Sequence, residues 1–281
     1  MSYLKVKSYA KINLALNVVG KTSSLHKIES IISFLDLYDE ILIKVIRDNN
    51  HKIKFIGKFS NNISSNNTVS KLLKIIDKEK LLKNNKLKNI IKKNVPLESG
   101  LGGGSMNAAT ILKFLIKKKL IIISKKKLYK ICSLIGSDVI LGIHPNNLIL
   151  KSNNTIKNFF FQNNVFTLVV MPNFGCSTKR IYSKVKKFSK ARFNQPKKNM
   201  FNLDFLKKMN NDLELIALKK YPKLNHLKVF LEKLSNVKFV RMTGSGSALI
   251  AYFASSKLCI EAEKKVKKQF RNYWCKTAKT I

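Results

Sequence analysis

The segment 87–115 constrains this chain most. A strand over 87–92 leads into Pro96-Leu97-Glu98-Ser99-Gly100-Leu101-Gly102-Gly103-Gly104-Ser105, and Ala-rich helical sequence follows at once. That is a strand, a glycine loop and a helix in order. Glycines let backbone N–H groups close on an anion with no Cβ in the way, and the helix behind them turns its positive end to the same place. The segment therefore suits a triphosphate. It has neither the Gly-Lys-Ser/Thr of a Walker loop nor the distant acidic residue of a dinucleotide fold. A flexible surface turn is the plain alternative, and the tight join to a helix argues against it. Ser105 falls at the start of the helix, where its hydroxyl either caps the helix or helps to hold Mg²⁺.

Phosphoryl transfer to an alcohol also needs a group that accepts the hydroxyl proton and a cation that offsets developing negative charge. Acidic residues are scarce, 15 in 281, and Asp138 stands among apolar neighbours in Ile135-Gly136-Ser137-Asp138-Val139. It is a candidate base, although Gly-Ser-Asp also reads as a turn or a cap. Lys11, in Ala10-Lys11-Ile12-Asn13-Leu14, interrupts a strand that otherwise looks half buried. In so basic a chain, a solvated lysine is the competing reading.

Alternation of polar and apolar residues predicts strands over 6–19, 40–46 and 52–56. Helical spacing over 68–76 puts Val69, Leu72, Leu73 and Ile76 on one face, with Asn67 as the cap. Between 148 and 165 the chain turns rich in Asn, Lys and Ser, and the boundary between two domains, 1–155 and 156–281, is expected there. The second half reads as a strand over 166–171, a Lys-rich polar stretch near 184–200, helices over 203–219 and 223–234, strands over 237–242 and 248–253 around a glycine turn, and a final helix. Strands and helices mix without repeats, so the fold class is α+β.

A net charge of +40 suggests nucleic acid at first sight. Arginine, however, occurs only as Arg47, Arg180, Arg192, Arg241 and Arg271, so 50 of the 55 basic residues are Lys. Surfaces that read phosphate draw on the planar fork of Arg. The lysines are spread along the chain beside heavy use of Asn and Ile, as compositional bias would leave them, and no specific nucleic-acid partner is expected. Cys132, Cys176, Cys259 and Cys275 are far apart and read as reduced thiols, with no metal-ligand or redox spacing. No apolar run reaches the length of a membrane span, and Asn13 and Asn17 break the candidate core of a signal peptide. The expectation is a cytoplasmic protein, monomer or homodimer, that leaves membranes alone and acts on a small molecule.

Four segments, SYAKINLALNVVGK at 8–21, PLESGLGGGSMNAA at 96–109, GSDV at 136–139 and RMTGSGSALIAYF at 241–253, resemble the GHMP kinases in order and approximate spacing. Leu25-His26-Lys27-Ile28-Glu29-Ser30, Phe34-Leu35-Asp36-Leu37-Tyr38-Asp39-Glu40 and Asn211-Asp212-Leu213-Glu214 are similar to one branch of that family. Its members phosphorylate the 2-hydroxyl of 4-diphosphocytidyl-2-C-methyl-D-erythritol in the non-mevalonate isoprenoid pathway. The resemblance implies two lobes, an ATP lobe with a left-handed βαβ crossover and a ferredoxin-like C-terminal lobe, with ATP and Mg²⁺ as cofactors. It also implies that Asp138 is the general base and Lys11 its partner. Asn67, Thr68 and Lys93 would lie near the adenine, and Pro96, Ser99, Gly100, Leu101, Gly102, Gly103, Gly104 and Ser105 along the ATP. Asn13, His26, Thr178 and Tyr182 would line the substrate site, with Gly244 and Gly246 as a second glycine turn, and no side chain serves as a dedicated metal ligand. The chain departs from the family pattern at Leu25, where an aromatic able to stack on cytosine is usual, at Met106, where a second serine is usual, and after Asp138. Another alcohol in the same family, or a basic RNA-binding protein on the same fold, are the rival readings.

Overall fold

The computed structural model describes residues 2–23, 25–162 and 164–281. The chain forms two compact units built from interleaved segments. The first comprises Met1–Lys11, Leu37–Leu97 and Gly102–Pro145, and the second Ile12–Asp36, Glu98–Leu101 and Asn146–Ile281. Two long strands, β1 (Leu4–Lys21) and β2 (His26–Ile46), contribute residues to both.

In the first unit, β3 (Lys52–Ile56) is followed by α1 (Thr68–Lys78) and β4 (Lys86–Lys92). β3 and β4 pair in parallel, with Phe55 opposite Ile91, so β3-α1-β4 is a βαβ crossover. β4 then pairs antiparallel with the later half of β2, from Glu40 opposite Lys92 to Ile46 opposite Lys86. α2 (Gly103–Lys117) and α3 (Lys125–Ile135) complete the unit. Their apolar faces close one core, in which Val69, Leu72 and Ile76 of α1 meet Ile111, Leu112 and Leu115 of α2 and Ile41, Leu87 and Ile91 of the strands. Asn67 caps α1 as its sequence predicts, its Oδ1 accepting from Val69 N at 2.9 Å and Ser70 N at 3.0 Å.

In the second unit, β5 (Asn147–Leu150) and β6 (Ile156–Phe159) form a hairpin that pairs with the early half of β2 through Ser30 opposite Leu150. The chain continues through β7 (Phe166–Met171), α4 (Thr178–Tyr182), α5 (Leu203–Lys207), α6 (Glu214–Lys220), α7 (Pro222–Glu232), β8 (Phe239–Met242), β9 (Leu249–Phe253), α8 (Ser256–Gln269) and β10 (Trp274–Lys279). The last four-stranded sheet has the order β10-β7-β9-β8 and is antiparallel throughout, the arrangement of a ferredoxin-like lobe. Leu168, Val170, Leu249 and Ala251 on its inner face pack against Leu224, Leu227, Leu231 and Val266 of the helices.

Two expectations need correction. Residues 26–39 continue β2 as strand, although Ile31, Ile32, Phe34 and Leu35 show no alternation. All four are buried, and a strand covered on both faces has no polar side to display. The helix expected over 203–219 is broken between Lys207 and Glu214. There Asn211 Nδ2 donates to the carbonyls of Met242 and Gly244 at 2.8 Å each, and Asp212 Oδ2 accepts from Val18 N at 2.7 Å. Side chains committed to these tertiary bonds compete with the helix ladder.

Candidate active site

The first unit gathers Gly102, Gly103 and Gly104 of the glycine loop and both proposed catalytic side chains. Gly102, with φ 70°, is the N-cap of α2, and Met106 N donates to its carbonyl at 2.9 Å. A Cβ on Gly102 would stand 2.9 Å from Lys11 Cγ, so the Lys11 stem runs directly alongside the loop. The Lys11 ammonium ends 3.3 Å from Asp138 Oδ2. The lysine side chain is only 4% exposed while the carboxylate is 32% exposed, which leaves the acid reachable from solvent. β1 supplies the lysine, and the turn after α3 supplies the acid, with the neighbouring Val139 sunk in the core. The Lys11 that composition alone would leave in water is therefore buried and paired.

The residues expected near the nucleotide converge on the start of α2. Thr68 Oγ1 donates to the Gly104 carbonyl at 2.6 Å, next to the Asn67 cap. Lys93 is buried, forms an ion pair with Asp39, and would stand 3.2 Å from a Cβ on Gly103. Asp39 also accepts from Asn94 N at 2.7 Å and Val95 N at 2.8 Å, which fixes the backbone that enters Pro96 and the loop. Ser105 does not cap α2. The helix already begins at Gly103, so Ser105 lies inside its first turn, with the hydroxyl 3.9 Å from the Cβ position of Gly136.

In the second unit, Glu98–Leu101 is stitched to the turn between β8 and β9. The carbonyl of Ser99 accepts from Ala248 N at 3.1 Å, and Leu101 N donates to Ser99 Oγ at 3.3 Å. A Cβ on Gly100, whose φ is 77°, would lie 2.0 Å from the Thr243 carbonyl oxygen. Gly100 is thus a close-packing position. Gly244 and Gly246 are buried at φ 55° and 83°, and Asn211 grips the first of them through its carbonyl. Thr178 Oγ1 and Ser245 Oγ lie 2.9 Å apart. Asn13 N donates to Thr243 Oγ1 at 3.0 Å, and its Nδ2 donates to Ser30 Oγ at 2.8 Å. The His26 ring lies 5.1 Å from the Tyr182 ring and 6.5 Å from that of Phe188. Burial, aided by the charge on Lys21, lowers the His26 pKa below the ordinary imidazole value.

Sequence reasoning missed Asp39, Glu29 and Phe188. The two acids carried a signal, since each is one of only 15 and sits within apolar strand sequence. Glu29 is fully buried and accepts from Asn17 Nδ2, Arg192 N and Phe193 N. Phe188 lay hidden in the Lys-rich stretch. The four cysteines are buried and form no disulfide, and burial pushes the Cys132 and Cys176 thiols up to about 11 and that of Cys259 to about 12, far from thiolate chemistry. Among the described residues no helix is long and apolar enough to cross a membrane.

The description of the GHMP kinases N terminal domain matches residues 67–146, from the cap of α1 past Asp138. A 4-diphosphocytidyl-2-C-methyl-D-erythritol kinase of Pelagibacter ubique (strain HTCC1062) is 56% identical over 281 residues, covering 100% of both chains. A kinase of the same name from Clostridium perfringens (strain SM101 / Type A) is 33% identical over 89% of this chain and 88% of its own. Among solved structures, a 4-(cytidine 5'-diphospho)-2C-methyl-D-erythritol kinase superposes with a TM-score of 0.77 at 20% identity over 98% of this chain and 99% of that one. The homoserine kinase of Cytophaga hutchinsonii gives 0.71 at 14% identity, over 100% and 95%. At such identities the structural likeness establishes the fold, and the full-length relative carries the closer assignment. The chain belongs to the 4-diphosphocytidyl-2-C-methyl-D-erythritol kinase family of GHMP kinases.

Proposed function

We propose that this protein transfers the γ-phosphoryl group of ATP to the 2-hydroxyl of 4-diphosphocytidyl-2-C-methyl-D-erythritol. The observation that carries the reading is the Lys11–Asp138 pair, 3.3 Å apart, with the lysine stem against Gly102 of the glycine loop. Base and cation stand together beside a loop whose backbone suits phosphate. The 56% identical Pelagibacter relative, named for this substrate, supports the choice of alcohol.

The Asp138 carboxylate takes the proton of the attacking hydroxyl. The Lys11 ammonium offsets negative charge on that oxygen, and no covalent enzyme intermediate is required. Gly102, Gly103 and Gly104 put no side chain of their own beside the backbone N–H groups at the start of α2, and Lys93, held by Asp39, adds a fixed positive charge next to Gly103. Asn67 and Thr68 abut the same turn, where the nucleotide would rest, and Pro96, Ser99, Gly100 and Leu101 set the path of the loop. The residues also fit Mg²⁺. Among the described residues no cluster of three His, Cys, Asp or Glu groups forms a protein cage, so the ion would be held largely by phosphate oxygens with Ser105 Oγ as a protein partner. When bound, it supplies charge neutralisation on the transferring phosphoryl group. Asn13, His26, Thr178, Tyr182, Gly244 and Gly246 are assigned to the substrate, and the setting to the cytoplasm.

A coupled ADP-release assay with the cytidyl substrate, mevalonate, homoserine and galactose tests this reading. The cytidyl compound is expected to give the highest kcat/KM by at least about 100-fold, the scale of discrimination that a site with buried hydrogen-bonding groups achieves. Preference for another alcohol would refute the assignment.

A further inference from the structure

Thr243 stands on the turn after β8, fully buried, and its hydroxyl works in two directions at once. It accepts from Asn13 N at 3.0 Å and donates to the Gly100 carbonyl at 3.3 Å, partners 230 and 143 residues away along the chain. The backbone that carries it is fixed on every side. Thr243 N donates to the Ala248 carbonyl at 3.1 Å, and its own carbonyl accepts from Gly246 N at 3.0 Å. The carbonyls of the two flanking residues, Met242 and Gly244, both accept from Asn211 Nδ2, and Met242 N donates to Glu214 Oε2 at 2.5 Å. Valine has the same branched outline, so packing alone leaves the hydroxyl unexplained. What the hydroxyl adds is a set spacing between Asn13 of β1 and Gly100 of the glycine loop. From Asn13 the chain runs back two residues to Lys11, and from Gly100 it runs on two residues to Gly102. Those two ends meet again, since a Cβ on Gly102 would stand 2.9 Å from Lys11 Cγ. Neither Asn13 N nor the Gly100 carbonyl can leave the hydroxyl without breaking a buried hydrogen bond, and such a loss is costly.

We propose that Thr243 is a positioning residue for phosphoryl transfer: by holding Asn13 and Gly100 on one hydroxyl, it keeps the Lys11 stem along Gly102 and the ammonium at Asp138. This rests on the roles assigned above to Lys11 and Asp138.

The test compares kcat, both KM values and the melting temperature in wild type, Thr243→Val, Thr243→Ser, Lys11→Ala and the Lys11→Ala/Thr243→Val double variant, each assayed below its melting transition. Thr243→Val is expected to lower kcat by about 10- to 100-fold, the scale of a displacement near 1 Å at a reacting centre, with little change in the KM for the cytidyl substrate. Thr243→Ser keeps the hydroxyl and should stay within about threefold of wild type. In the Lys11→Ala background, Thr243→Val should cost less than about threefold more, because residues that act through one another do not lose independently. A Thr243→Val protein that melts lower yet turns over like wild type makes the hydroxyl structural and overturns the proposal. So does a serine variant as impaired as the valine one, or a full further loss in the Lys11→Ala background. Thr243→Ala carries the same readings if Thr243→Val does not fold, and failure of both to fold also makes the hydroxyl structural. Near-normal kcat in Lys11→Ala would bring down the assigned mechanism together with this proposal, whereas a damaged Lys11→Ala beside a fully active Thr243→Val brings down this proposal alone.

Discussion

Lys11 and Asp138 illustrate how differently single residues announce themselves. Asp138 stood out because acids are rare here, whereas Lys11 is one of 50 lysines, marked before its burial and its 3.3 Å partner were seen only by its place in a half-buried strand and by the family resemblance. Because the pair is joined, its loss should be read as that of a unit. Asp138→Asn is expected to lower kcat by about 10² or more while ATP KM stays within a factor of about two, since proton acceptance acts in the transition state. Lys11→Ala should be comparably damaging, and the double variant should lose much less than the product of the two effects. Steady-state kinetics on the four proteins checks this. Near-normal turnover in Asp138→Asn would remove that residue from its role.

Among elements, the glycine loop was the most legible, yet its glycines prove to do different work. Gly100 closes on the Thr243 carbonyl, and Gly102 closes on the Lys11 stem. Gly100→Ala would set a Cβ 2.0 Å from a backbone oxygen at a positive φ, so it should lower the melting temperature by several degrees or more, the positive φ alone costing roughly 1–2 kcal/mol. Gly102→Ala carries a similar positive-φ cost at φ 70°, but its Cβ meets only a flexible side chain at 2.9 Å. It should melt closer to wild type but displace Lys11, so kcat falls more than stability does. Thermal melting and kcat on both variants separate the two roles, and the reverse pattern would contradict them. The elements that the sequence concealed were those whose side chains answer to distant partners. The early half of β2 hides because both of its faces are covered, and the break before α6 hides because Asn211 and Asp212 serve β1 and the glycine turn.

At the scale of the whole molecule, the +40 charge is the term most open to solution conditions. Dispersed lysines repel one another in the compact state, so melting temperature should rise with salt. Any RNA binding should be sequence-blind and lost at moderate salt. Histidines set the pH response. Burial lowers the pKa values of His26, His51 and His144 in the folded chain. The unfolded chain therefore takes up more protons as pH drops through the ordinary histidine value of about 6.5, and stability held above that value is lost below it. Denaturant titrations at several pH values between neutrality and mild acid check the sign. The central claim is phosphoryl transfer to the cytidyl alcohol, and phosphorus NMR of a mixture of wild-type enzyme, MgATP and 4-diphosphocytidyl-2-C-methyl-D-erythritol tests it most directly. The account predicts a new phosphomonoester signal growing in step with ADP while the diphosphate bridge stays intact, and a mixture in which ADP forms without that monoester, or in which neither appears, would contradict it.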